Sequence, residues 1–209
     1  MLELNKIYLE DARYLLKEID DESVDLVITD PPWGVGKKGV NNDKSLRIYQ
    51  EILPELYRVL KKDSWFITYT SIKNLPLMFQ NNPFEYFWKI IDFEVSGNSQ
   101  GRVGWTKYND ILIFRKGKAK PKKEFLFYVS DAYINYSFSL TDITPQMFKY
   151  NHAIAKNVSM IAILLNIFSN ENDIVLDPFI GSGSTALACK LMNRNFIGID
   201  IDPEFVKIA

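Results

Sequence analysis

One cysteine and one histidine stand in a chain of 209 residues. That scarcity excludes a disulfide scaffold and any zinc centre built from three or four Cys and His ligands. No stretch reaches the ~20 apolar residues of a membrane span, and the longest apolar segment, 160–168, already contains Asn166. The opening residues, MLELNKIYLEDARYLLKEIDDE, are interrupted by acids and have neither an apolar h-region nor a small-residue cleavage site. A reduced, cytoplasmic protein without membrane contact is the expectation. Charge of neither sign dominates: 25 Lys and Arg face 26 Asp and Glu. No global field therefore draws the chain onto nucleic acid, and any such binding must come from local patches.

Internal repeats and low-complexity tracts are also missing, while 47% of residues are hydrophobic. That suffices for one full core with at most a small appendage. Ile7-Tyr8-Leu9 reads as a short strand, Asp11 as an N-cap, and Ala12, Leu15, Leu16 and Ile19 recur at helical spacing. Residues 24–29 (VDLVIT) form a nearly continuous β-branched run, the pattern of a parallel strand buried on both faces. It stops at Asp30-Pro31-Pro32, where two prolines remove two ladder donors. A Gly-, Asn- and Lys-rich loop over 34–48 precedes a helix expected from about Tyr49 to Lys62, with Pro54 confined to its first turn. Strands follow over 65–70, 87–95 and 110–115, with the turn-rich SGNSQGR between the last two. The chain closes with a helix over 157–168, a strand over 173–177, a glycine turn, a helix over 184–192 and a strand over 195–200. Strands alternating with helices at both ends imply one doubly wound, mostly parallel α/β sheet.

Two segments carry chemistry. The first is the turn after DIVLD, 178–186 (PFIGSGSTA), with Asp200 at the end of the next strand. Glycines let backbone approach a ligand, free N–H groups at the helix start favour an anionic group, and Asp200 can accept from ribose hydroxyls. Gly181-x-Gly183-x-x-Ala186, with an acid nineteen residues after Gly181, also meets the loose dinucleotide fingerprint. The glycines do not follow the strand directly, however, and an anionic Asp177 sits badly beside a pyrophosphate. An acid there suits a ligand bearing an ammonium group. The second segment is Asp30-Pro31-Pro32-Trp33. A carboxylate and stiffened carbonyls are acceptors only, matched to an exocyclic –NH₂, and Trp33 offers a face for a heteroaromatic ring. Taken alone, the tetrapeptide also reads as a strand terminator with a core Trp, and the glycine segment as a plain βα turn.

Together these segments resemble the S-adenosylmethionine-dependent amino-methyltransferases of nucleic-acid bases. The similarity is to the circularly permuted β-class, in which D-P-P-[YFW] precedes F-x-G-x-G, as Asp30–Trp33 precedes Phe179–Gly183 here. The resemblance implies a seven-stranded Rossmann-like methyltransferase sheet over 1–209: a catalytic half to about 115, a short target-recognition insert over about 116–150, and a cofactor half over 151–209. It implies Asp30, Pro31, Pro32 and Trp33 as catalytic residues. Around S-adenosylmethionine it places Asp11 at the adenine amino group, Lys156 near the carboxylate, Asp177 near the ammonium and Asp200 on the ribose. Pro178, Phe179, Gly181, Ser182 and Gly183 form the wall, S-adenosylhomocysteine is the product and no metal is needed. The segment NHAIAKN (151–157) resembles H-P-x-x-K-P with Ala153 and Asn157 in place of both prolines, and Glu10 stands where Gly is usual before Asp11. His152 and Cys189 read as structural and Asp202 as a helix cap.

The implied substrate is duplex DNA with a flipped base, in a restriction-modification setting. Adenine N6 leads because the motif opens with Asp rather than Ser; cytosine N4, RNA adenine and a non-catalytic cofactor-binding subunit are the alternatives. A monomer, a homodimer or a chain with a recognition subunit all remain open. Phosphate contact is expected from Lys37, Lys38, Lys44 and Arg47, and from the run 115–123, whose six positive charges include Lys116, Lys118, Lys120, Lys122 and Lys123.

Overall fold

A computed structural model of the chain describes residues 2–32, 46–93, 99–100, 105–106, 108–122 and 158–209. Its main feature is a seven-stranded sheet. The strands are β1 (Lys6–Leu9), β2 (Val24–Thr29), β3 (Leu60–Thr70), β4 (Glu85–Phe93), β7 (Tyr108–Lys116), β8 (Ile174–Asp177) and β9 (Asn195–Asp200). A separate two-stranded ribbon pairs β5 (Ser99–Gln100) with β6 (Trp105–Thr106), within and just beyond the turn-rich segment. The large sheet runs β1-β9-β8-β2-β3-β7-β4, and every neighbouring pair is parallel except the two made by β7. First and last strands meet, Leu9 opposite Asp200, so the two chain ends close the sheet in the permuted order the resemblance implied.

Helices cover both faces because alternate residues of the central strands are apolar. Leu26 and Ile28 of β2 pack with α4 (Val158–Phe168) and α5 (Ser184–Leu191); Val24 and Val27 pack with α1 (Ala12–Leu15) and α2 (Arg47–Val59). Helix α4 is buried on nearly every side, as an apolar-all-round sequence requires. Short α3 (Leu75–Met78) and α6 (Pro203–Ile208) complete the set, the latter capped by Asp202, which accepts from Glu204 N at 2.9 Å. Cys189 is buried, as expected.

The region around Pro54 departs from the expectation. Helix α2 starts at Arg47, so Pro54 lies in its interior, not its first turn. A missing donor costs about 3 kcal/mol there, yet Tyr49, Ile52, Leu53, Leu56 and Val59 are all buried on the same helix. At about 1.5–3 kcal/mol each, their burial outweighs the proline. The helix also ends at Val59, and β3 begins at Leu60 rather than Trp65, because Leu60 already pairs with Val24 of β2 and β7 continues the other ladder down to Ser64↔Lys116.

From the centre the chain winds outward in both directions: β8 leads through α5 to β9, and β2 through α2 to β3. The carboxyl ends of β2 and β8 are thus the point where the winding reverses, the place where open α/β sheets bind ligands.

Candidate active site

Asp177, the last residue of β8, is 4% exposed and holds the centre of this reversal. Its Oδ1 accepts from Thr29 Oγ1 at 2.9 Å and Phe179 N at 3.1 Å, and its Oδ2 accepts from Thr185 Oγ1 at 2.7 Å. Burial pushes its carboxyl up to about 7, helped by the nearby Asp30, against the three donors that favour the charged form. Asp177 thus both caps the turn and lines the cleft.

After Asp177 the chain makes its glycine turn. Ile180 N donates to Ile199 O at 2.9 Å, tying the turn back to β9. Gly181 has φ 51° and Gly183 φ 84°, the left-handed region that side chains resist. A Cβ on Gly183 would also lie 2.7 Å from that of Ala209. Gly181 N donates to Asp200 Oδ2 and Asp202 N to Asp200 Oδ1, each at 2.8 Å. Burial raises the Asp200 carboxyl above its ordinary value. Two such bonds leave a carboxylate free lone pairs for hydroxyl donors.

Across the cleft stands Asp30, immediately beyond β2. One cleft is lined by Thr29 and Asp30 from the catalytic side and by Asp177, Phe179, Ile180, Gly181 and Ser182 from the turn, with Ile28, Tyr69, Ile161, Ser184 and Thr185. Pro31 is buried and Pro32 half-buried just outside it, and Pro178 is buried behind the turn. The sequence pattern passed over Tyr69, Ile161, Thr29 and Thr185. The first two look like ordinary core residues; the Thr29–Asp177 pairing across 148 positions has no local signal.

Asp11 caps α1 by accepting from Arg13 N at 2.9 Å, and its carboxylate is gripped by the Arg13 guanidinium at 2.6 Å. That hydrogen bond holds the Asp11 carboxyl below its ordinary value. Arg13 also reaches Glu51, which pairs with Arg47 at 2.6 Å. Arg47 is 82% exposed at the start of α2, on the rim that carries Asp30. Trp33, Lys37, Lys38, Lys44, Lys123, His152 and Lys156 lie outside the described residues.

The basic run requires a correction. Because β7 runs against its neighbours, Asp110 at its start pairs with Thr70 at the carboxyl end of β3, and Lys116 at its end pairs with Ser64. Six residues of strand separate those levels, about 20 Å. Lys116, Lys118, Lys120 and Lys122 therefore sit toward the opposite edge of the sheet from the cleft. Lys116 is a structural residue. Its ammonium donates to Leu60 O at 2.6 Å and Tyr57 O at 2.9 Å, pairs with Glu22 at 3.2 Å, and lies 4.8 Å from the Tyr57 ring centroid. It closes the end of α2. Lys116→Met is expected to cost about 2 kcal/mol of stability, since charged hydrogen bonds are lost, and to leave DNA affinity unaltered; melting curves with a DNA titration check both.

The donor set fits a cationic ligand with amine and hydroxyl donors: acids at either end of a glycine turn, and a further acid across the cleft. Among the described residues no group of metal-ligating side chains is present and no helix is long and apolar enough to cross a membrane. A parallel sheet with one reversed strand and an acid-lined cleft beyond the ends of β2 and β8 is the architecture expected of an S-adenosylmethionine-dependent methyltransferase. A family model described as DNA methylase matches residues 24–209, and the chain belongs to this family of N6-adenine and N4-cytosine amino-methyltransferases.

Among its relatives, the type II methyltransferase M.HpaI of Haemophilus parainfluenzae is 29% identical, over 98% of this chain and 72% of its own. The DNA adenine methyltransferase YhdJ of Escherichia coli is 27% identical, over 95% and 79%. Of solved structures, the M1.HpyAVI–SAM complex superimposes with TM-score 0.66 at 26% identity, covering 98% of this chain and 97% of that one. The cytosine-N4-specific PvuII DNA methyltransferase gives 0.74 at 20% identity, over 97% and 84%, a likeness of fold.

Proposed function

We propose that this chain methylates the exocyclic N6 of adenine in DNA, with Asp30 as the residue that prepares the amine. The observation that carries the reading is the single cleft shared by Asp30 and the glycine turn, joined beneath by the Thr29–Asp177 hydrogen bond. S-adenosylmethionine supplies an electrophilic methyl; Asp177, Asp200 and the turn at 178–183 would hold it. An exocyclic nitrogen is a poor nucleophile because its lone pair is delocalised into the ring. Asp30 and the Pro31 carbonyl accept hydrogen bonds from the –NH₂ group, drawing it toward tetrahedral geometry so that the lone pair points at the cleft. The carboxylate then stabilises the positive charge that develops on nitrogen. A duplex base must first be flipped, at a cost of a few kcal/mol, and Trp33 is the residue assigned to stack on it. Adenine is favoured over cytosine by the aspartate that opens the motif, and a relative named an adenine methyltransferase supports it.

Phosphate contact is assigned to Arg47, exposed at the start of α2, together with Lys37, Lys38 and Lys44, which follow the Asp-Pro-Pro-Trp motif in the sequence. Exposed ion pairs such as Arg47–Glu51 are worth little, so Arg47 can exchange its partner for a phosphate. Reversing these four charges is expected to weaken DNA binding steeply and flatten its salt dependence. Reversing Lys118, Lys120 and Lys122 together should do neither. The activity test is transfer of labelled methyl to DNA and to RNA, followed by nucleoside analysis. N6-methyldeoxyadenosine from DNA supports the proposal; N4-methyldeoxycytidine, a product in RNA alone, or no product with cofactor bound points to the cytosine, RNA or non-catalytic reading respectively.

A further inference from the structure

At the cleft, the backbone ladder between β2 and β8 ends. Their ladder pairs Leu26 with Val175 and Val27 with Leu176 and goes no further. On its other side β2 stays in register with β3 as far as Thr29↔Thr68. The last residues of β2, and Asp30 beyond them, are therefore carried by β3 while the cofactor side is carried by β8 and β9. Between the two, past the end of the ladder, lies the hydrogen bond from Thr29 Oγ1 to Asp177 Oδ1 at 2.9 Å. Thr29 is 1% exposed, so this bond is sheltered from competing water. Asp177 has two more donors, Phe179 N and Thr185 Oγ1, and both belong to the cofactor side. Losing the Thr29 hydroxyl would leave the turn held by its own residues and release the catalytic strand.

From this geometry we infer that Thr29 is a positioning residue: its hydroxyl fixes the gap between Asp30 and the glycine turn, and thereby the approach of the amine to the methyl. The inference rests on the methyltransferase reading above and adds a cleft-lining residue that acts through Asp177 and Asp30 rather than by chemistry of its own. Transfer is sensitive to such spacing, since a misplacement of about 1 Å can cost about 100-fold in rate. Cofactor affinity responds less, because Asp177 keeps two donors on its own side, Phe179 N and Thr185 Oγ1.

The test compares Thr29→Ser, Thr29→Ala and Thr29→Val in the full chain at pH 8.5. Three quantities are read: the S-adenosylmethionine dissociation constant by calorimetry, the single-turnover methyl-transfer rate at saturating cofactor and DNA, and amide exchange over residues 28–30. Ser keeps the hydroxyl and should transfer within about 3-fold of the parent, whereas Ala and Val should fall about 10- to 100-fold with cofactor affinity changed by less than about 3-fold. Exchange over 28–30 should quicken in Ala and Val alone. Parental rates in Ala and Val overturn the inference. So does a rate loss matched by an equal loss of cofactor affinity, or a Ser variant as slow as Ala. If Val does not fold, as judged by its melting curve, the Ser–Ala pair decides. A parent chain that binds cofactor but methylates no DNA would fail the functional reading instead. Exchange that quickens in Ala but not in Ser would then still uphold the tie, and unaltered exchange would overturn it.

Discussion

Asp30→Ala should reduce methyl transfer by about 1,000-fold or more while S-adenosylmethionine binds almost as before. The size follows from what is removed: an acceptor that redirects a delocalised lone pair and then faces a developing positive charge, both effects realised in the transition state. Ground-state binding is touched only indirectly. Asp30 contributes to holding the Asp177 carboxyl up, so removing its charge eases ionisation of Asp177 and should strengthen, if anything, the grip on a ligand ammonium. The expected kinetic signature is thus a collapsed single-turnover rate with an unaltered or slightly smaller cofactor dissociation constant, read by rapid-quench assay and calorimetry. Turnover surviving at a tenth of the parental rate would remove Asp30 from the catalytic role. Loss of cofactor binding in step with rate would make it a cofactor residue.

Much of this arrangement could be read along the chain because it is written locally. A β-branched run broken by Asp30-Pro31-Pro32 states where β2 ends, and its last residue in sequence is its last in the structure. DIVLD followed by two glycines states a strand, a tight turn and a helix start, and all three are found in place. What could not be read is what depends on direction or on distance along the chain. The basic run at 115–123 is conspicuous as composition, but its position relative to the cleft depends on β7 being the reversed strand. A parallel β7 would have delivered those lysines to the catalytic rim; the antiparallel one delivers Lys116 to the end of α2. Pro54 was misplaced for a different reason: local helix preference argues for a first-turn proline, and burial of five side chains on α2 overrides it. Thr29 could not be singled out at all, because a threonine closing an apolar strand has no distinguishing neighbour until β8 lies beside it.

The same separation explains why the cleft lies where it does. The ladder between β2 and β8 covers only two positions, and the cleft lined by Asp30 and Asp177 lies past its end. Each side of the gap is stiffened by a different neighbour, β3 for one and β9 for the other. A donor and an acceptor brought by two such strands can be held in fixed relation without either strand closing over the ligand. The cost is a buried acid at the junction, and that acid sets how the site responds to pH.

Cofactor binding should release a proton from Asp177 near neutral pH. Burial and the neighbouring Asp30 push this carboxyl up to about 7 in the free protein, from 3.8. A raised acid stabilises the fold fully below its unfolded value, and that contribution is lost as pH climbs through the folded one. The free protein should therefore lose stability between about pH 4 and pH 7 on account of Asp177, as linkage requires. A ligand ammonium reverses the preference, because it favours the carboxylate and expels the proton. Well above pH 7 the group is already ionised and its contribution to affinity levels off; below, affinity should fall toward tenfold per pH unit. Calorimetry near pH 7 in buffers of different ionisation enthalpy should show release of a fraction of a proton per cofactor bound. In Asp177→Asn this release should vanish, with affinity at pH 8 reduced about 10- to 100-fold because the ammonium loses its counter-charge. Asp200, which holds the glycine turn from the end of β9, is another acid raised by burial, and Asp200→Asn separates its share: proton release persisting there but absent in Asp177→Asn assigns the proton to Asp177. Release unaffected by Asp177→Asn would remove Asp177 from the ammonium site and leave it as the cap of the glycine turn alone.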